Sequence, residues 1–221
     1  MDSLKDCEEI LVLGDSHAIV FLNEKFKTTF NNFVFNVCKV GGATLSGMKN
    51  PNTITQAMPI FLRCIKMSKA MQVITLIGEV DTGFLIWHSA NKYNISISEA
   101  LDKVVQNYIE FLTMLSNNFK VICISTPLPV ITDGAYKGKV ANARKTVKAT
   151  QKQRIELTFT LNKTIKEFCK KEQIVFVDLD IKSLGNDGLI KPDLLNEDPC
   201  DHHYNSDVYA DLIIEELKNI L

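Results

Sequence analysis

A serine flanked by an acid and a histidine, Gly14-Asp15-Ser16-His17, stands directly behind the apolar run Ile10-Leu11-Val12-Leu13. A hydroxyl in that place is displayed where a buried strand leaves the core and unpaired backbone N–H groups are at hand to hold an oxyanion. Serine becomes a nucleophile only when a base takes its proton and a third group, usually a carboxylate, holds the base in the right tautomer. Asp198-Pro199-Cys200-Asp201-His202-His203-Tyr204-Asn205 supplies both types within eight residues. The order Ser, Asp, His is compatible with a triad, which is defined by geometry and not by chain position. Read more plainly, Ser16 is the N-cap of a helix and the Asp/His segment is a polar loop capping the next one.

Positioning two such segments requires a scaffold. Short apolar, β-branched runs alternate with longer helical stretches, the pattern of a parallel sheet covered on both faces. Strands are predicted over 9–13, 33–37, 72–77, 121–125 and 174–179, each apolar on both faces. Helices are predicted over 52–68, 98–117, 139–171 and 207–221, the last capped by Ser206. On the 139–171 stretch the apolar stripe includes Val140, Ala143, Val147, Thr150, Leu157, Leu161, Ile165 and Phe168, and Arg154 falls on it. Arg154 either pairs with a carboxylate to anchor the helix or points into the site to hold an anionic substrate group. Lys137, Lys139, Arg144, Lys145, Lys148 and Lys152 make the start of this helix basic, as a solvated face is.

The 221 residues fit one domain, 1–221, large enough to bury a core without metal or disulfides. A formal net charge of −1 argues against electrostatic nucleic-acid binding. Cys7, Cys38, Cys64, Cys123, Cys169 and Cys200 are dispersed and include no Cys-x-x-Cys. Neither a disulfide framework nor a zinc site is expected from them, and most read as buried thiols in a reducing compartment. The acidic start lacks a secretory signal, and no run approaches the roughly 20 apolar residues of a membrane helix. The expectation is a soluble cytoplasmic protein without a cofactor.

Four blocks together resemble the SGNH/GDSL hydrolase family across nearly the whole chain. They are Gly14-Asp15-Ser16, the turn Val40-Gly41-Gly42-Ala43-Thr44-Leu45-Ser46-Gly47, Gly78-Glu79-Val80-Asp81, and the Asp/His element before the last helix. The resemblance implies a three-layer α/β/α flavodoxin-like sandwich with a five-stranded parallel sheet. It also implies a Ser-His-Asp triad with Ser16 as nucleophile and His203 as base, since His203-Tyr204-Asn205 resembles the family's His-x-Asn ending. The oxyanion hole would use the N–H groups of Ser16 and Gly42. Two departures stand out. Val80 occupies the place of the family's oxyanion asparagine, leaving Asn91, Asn94, His88 or a backbone N–H as substitutes. The family's acid lies three residues before its histidine, where this chain has Cys200 or Pro199. Asp201 is the preferred orienter of His203, with Asp198 and a His202 base as the alternative. Asp15, His17, Glu79, Asp81 and Arg154 are candidates for substrate binding, Glu79 and Asp81 equally for orienting the Ser16 turn.

The combination of Gly-Asp-Ser-His, Gly-Glu-Val-Asp and Asp-His-His is similar to bacterial SGNH-like proteins associated with surface-polysaccharide synthesis. An O-acyl, chiefly O-acetyl, carbohydrate is therefore the expected small-molecule substrate. A triad does not distinguish an esterase from a sugar O-acyltransferase, and a non-catalytic sugar- or partner-binding module is the rival of another class. Asp15-Ser16-His17 is also the Asp-x-His that opens calcineurin-like metallophosphoesterases, but their Gly-Asn-His and Gly-His-x-His elements are absent. No metal site is expected on this reading, and the oligomeric state is not legible.

Overall fold

The computed structural model describes residues 7–134, 145 and 147–221. Strands β1 (Glu8–Gly14), β2 (Phe33–Lys39), β3 (Gln72–Leu76), β4 (Lys120–Ile124) and β5 (Val175–Val177) form one sheet in the order β2-β1-β3-β4-β5. Every neighbouring pair is parallel. This is the doubly wound flavodoxin-like order, so the three-layer expectation holds. Among the described residues the α-helices are α1 (Glu24–Thr29), α2 (Ala57–Met67), α3 (Ile86–Tyr93), α4 (Ile97–Ser116), α5 (Gln151–Lys171), α6 (Asp180–Ser183) and α7 (Ser206–Leu217).

Alternation along β1 builds both cores. Leu11 and Leu13 face α2, α4 and α5 through Phe61, Leu112 and Leu161, whereas Ile10 and Val12 face α1 and α7 through Phe26, Ala210 and Ile213. The interior strands and the short edge strand β5 are apolar on both faces, Phe176 packing on one core and Val175 and Val177 on the other. The edge strand β2 leaves Val34 and Asn36 exposed, a correction to the expectation for all five strands.

Helix starts follow side-chain chemistry that apolar spacing does not show. Ser96 and Glu99 close a capping box at α4, and Thr150 and Gln153 close another at α5. The predicted 139–171 helix therefore begins at Gln151, with residues 147–150 outside it. Lys137, Lys139, Val140, Ala143 and Arg144 lie outside the described residues. Asn205, not Ser206, caps α7 by accepting from the N–H groups of Asp207 and Val208. Cys38 and Cys64 form a disulfide, against the expectation of free thiols, because β2 and α2 bring their Cα atoms within 6.5 Å. Cys7, Cys123, Cys169 and Cys200 are free. Among the described residues, no helix is long and apolar enough to cross a membrane.

Candidate active site

The strand order reverses between β1 and β3, and the crevice at their carboxyl ends is where open α/β sheets bind ligands. Gly14 pairs with Leu76 on one side and Lys39 on the other, so three loops leave the sheet at one level. A Cβ on Gly14 would lie 2.2 Å from the Leu76 carbonyl oxygen, so only glycine permits this approach. Ser16 opens a 3₁₀ helix, Ser16–Leu22, but Asp15 is its N-cap, accepting from the His17 N–H at 2.9 Å. The simpler reading of Ser16 as a cap is thereby corrected. Its half-buried hydroxyl makes no hydrogen bond among the described residues.

Asp15 is fully buried and holds two loops together. Its Oδ1 accepts from the His17 backbone and ring Nδ1, the latter at 3.0 Å, and its Oδ2 accepts from the Gly78 N–H at 3.2 Å. Asp81 does the same for the next pair. It accepts from the Leu45 N–H, the Ser46 N–H and the Ser46 hydroxyl at 2.7, 3.0 and 2.6 Å, fastening the Gly42 loop to the turn after β3. Burial pushes its carboxyl up to about 6 despite those three donors. Gly42 itself has a φ of +71°, which favours glycine. Val80 leads into a π-helical turn, Asp81–Leu85. Of the expected substitutes for the missing asparagine, Asn91 and Asn94 lie at the exposed end of α3, with Asn94 as its left-handed cap, and the exposed His88 stacks on Phe84.

The far segment arrives at the same place. His203 lies with its ring centroid 4.7 Å from that of His17, and His202 lies 5.7 Å from His17. Asp201 Oδ1 accepts from both the backbone N–H and the ring Nδ1 of His203, at 2.9 and 2.5 Å. The backbone turn that a two-residue spacing demands is thus made. Burial pushes the Asp201 carboxyl up, but the hydrogen bonds from His203 and the nearby imidazoles outweigh it and leave the group below the usual carboxylate range. With Nδ1–H given to Asp201, the proton-accepting nitrogen of His203 is Nε2, which is buried and has no hydrogen-bond partner. Asp198 is exposed and accepts instead from the Cys200 N–H at 2.8 Å. Tyr204, buried, accepts from the Leu128 N–H at 2.9 Å and so ties this segment to the loop after β4.

Glu79 is 1% exposed. Arg154 is buried too, donating from Nη2 to the Ile131 carbonyl at 2.6 Å and lying 3.5 Å from Asp133 Oδ1. This is the anchoring arrangement: the guanidinium secures the loop after β4 on α5. Val130, Ile131 and Thr132 of that loop face Leu195, Pro199 and His202 across a cavity of about 210 Å³. Asp201 lines it as well, whereas Ser16 and Gly42 do not. The pairing of His17 with Asp15 escaped sequence reasoning, although Asp15-x-His17 and Asp201-x-His203 share one spacing that would have revealed it.

No family model and no curated protein sequence matches the chain. Solved structures do. A GDSL-like lipase from Bacteroides thetaiotaomicron is 17% identical with a TM-score of 0.59, covering 97% of this chain and 89% of its own. An acetyl xylan esterase is 14% identical with a TM-score of 0.55, covering 96% and 99%. A protein provisionally assigned as an SGNH hydrolase, from Slackia heliotrinireducens, is 12% identical with a TM-score of 0.57, covering 95% and 98%. The fold is that of the SGNH/GDSL hydrolases.

Proposed function

We propose that this chain is an SGNH-type serine esterase that removes O-acyl, chiefly O-acetyl, groups from a carbohydrate. One observation carries the reading: a carboxylate-oriented imidazole from the C-terminal segment packs against the residue next to Ser16. In this reaction the Ser16 Oγ attacks the ester carbonyl and its proton passes to His203 Nε2, while Asp201 holds the Nδ1–H. The N–H groups of Ser16 and Gly42 receive the developing oxyanion. His203 then returns the proton to the departing sugar hydroxyl, and water resolves the acyl-enzyme by the same steps. Ser16 and His203 meet only when the hydrogen bond between them closes, as such bonds often do on substrate binding.

Val80 supplies no side-chain donor, and one missing oxyanion donor costs about 100- to 1000-fold in rate. The enzyme is therefore slow, not inert. The cavity between the loops at 130–132 and 195–202, which reaches the site at Asp201 and His202 and not at Ser16, has apolar walls with a few polar groups and suits the sugar portion of the ester, and the acetyl xylan esterase of the same fold supports that class. A role in polysaccharide precursor metabolism, in the cytoplasm, fits the four free thiols, with the Cys38–Cys64 disulfide opposing it. The test is labelling with a fluorophosphonate and turnover of acetylated sugars. Wild type reacts and Ser16→Ala does not. A wild type that never labels, with sugar binding equal in both proteins, rejects the enzyme in favour of a binding module. Acyl transfer would show as a sugar acceptor outcompeting water.

A further inference from the structure

Three imidazoles converge where the proposed esterase uses one. His17, His202 and His203 each offer a ring nitrogen, and these atoms all lie within 4.8 Å of one another. His17 comes from the first loop of the sheet and the other two from the last, so only the tertiary fold assembles the group. His17 is buried; His202 and His203 are partly so.

Two of the three rings are already held as metal ligands are held. His17 Nδ1 faces Asp15 Oδ1 at 3.0 Å and His203 Nδ1 faces Asp201 Oδ1 at 2.5 Å. A histidine that donates Nδ1–H to a carboxylate carries its lone pair on Nε2, with its ring orientation locked and its basicity raised, as in carboxylate–histidine–zinc arrangements. In each case the same carboxylate oxygen also accepts the backbone N–H of the histidine, which fixes the acid before any ligand arrives. His203 Nε2 is buried without a partner, and a buried ring nitrogen in that state needs one. Tetrahedral zinc with nitrogen ligands at about 2.0–2.1 Å places those nitrogens about 3.3 Å apart. The three nitrogens, within 4.8 Å of one another, would draw together to that spacing around an ion.

From this geometry we infer that His17, His202 and His203 form a site for one divalent transition metal ion of the zinc class, with Asp15 and Asp201 as its outer shell and a fourth position open to water or a substrate oxygen. An imidazole-only donor set excludes magnesium and calcium, which take oxygen ligands. The consequence for esterolysis rests on the function proposed above. A metal on His203 Nε2 occupies the lone pair that would accept the Ser16 proton, so metal binding and serine chemistry exclude each other.

The experiment uses the full chain without a polyhistidine tag, stripped of metal and titrated with Co²⁺ and then Zn²⁺. One Co²⁺ binds per chain with the visible spectrum of a low-coordinate nitrogen site, and Zn²⁺ displaces it. Asp15→Asn and Asp201→Asn weaken binding by about 10- to 100-fold. His17→Ala, His202→Ala and His203→Ala weaken it further, while the exposed His88→Ala binds as wild type does. His202 is partly exposed, so His202→Ala reports on the site even where loss of the buried His17 harms folding. Zn²⁺ protects Ser16 from the fluorophosphonate, and a chelator restores labelling. Absence of saturable Co²⁺ binding, or binding that survives all three histidine substitutions, overturns the site. Binding that leaves labelling untouched overturns the competition. Should the metal-free protein not label at all, the esterase reading fails, and the Co²⁺ spectrum still decides the metal site.

Discussion

At the scale of single residues, one hydrogen bond distinguishes two histidines adjacent in sequence. Asp201 binds the ring of His203, and the backbone turn between them leaves His202 facing the cavity. Removing the base of a serine hydrolase costs about a million-fold in kcat, and removing its orienting acid about 30,000-fold, by the example of subtilisin. His203→Ala is therefore expected to abolish turnover and Asp201→Asn to lower kcat by about four orders of magnitude. His202→Ala should fall far less than either in metal-free assays. Equal losses in the two histidine variants, measured as kcat on an activated acetyl ester, would reject the assignment.

Elements matter through what fastens their loops. Asp15 joins the turns after β1 and β3, Asp81 joins those after β2 and β3, and Tyr204 joins the last loop to the one after β4. Arg154 belongs to this set. It reaches from α5 to the Ile131 carbonyl with little solvent around it, and a hydrogen bond from a charged group is worth about 1.5–3 kcal/mol. Arg154→Met should lower stability by about 2 kcal/mol in chemical denaturation with KM unchanged. A raised KM at unchanged stability would instead place the guanidinium on the substrate. Asp15, Asp81 and Arg154 were visible in the sequence as candidates for substrate binding, Arg154 equally as a helix anchor and Asp81 as an orienter of the Ser16 turn; which loops they fasten was not, because the partners of Asp81 and Arg154 lie 36 and 23 residues away.

Two properties belong to the whole molecule. Burial, reinforced by the Asp178 charge, pushes the Asp180 carboxyl up to about 7, from an ordinary value of 3.8. Between those limits Asp180 binds more protons in the folded chain than in the unfolded one, so the stability it contributes is fully present below the lower limit and is lost as pH rises through the upper. Urea denaturation across that range should show this decline at up to about 1.4 kcal/mol per pH unit. Asp180→Asn keeps an oxygen for Asn162 and should flatten it, leaving the smaller contribution of Asp81, raised to about 6. A slope unchanged in the variant would remove Asp180 as its source. The disulfide across a separation of 26 residues should contribute about 3 kcal/mol by restricting the unfolded chain. Reduction should expose two further thiols to titration and lower the denaturation midpoint. If the same thiols react before reduction, the bond is absent.

The sequence alone determined the sheet and the serine's place in it: strands in a doubly wound fold are short, locally encoded apolar runs, and all five stand within three residues of where composition puts them. It also held both Asp-x-His segments, since a two-residue spacing is local. Only the tertiary structure decided which acid meets which imidazole, that Cys38 reaches Cys64, and that three histidines from opposite ends of the chain bring ring nitrogens within 4.8 Å of one another. Those outcomes depend on contacts between residues far apart in the chain, which local propensity and pattern do not encode, and which packing at the carboxyl edge of the sheet alone brings about.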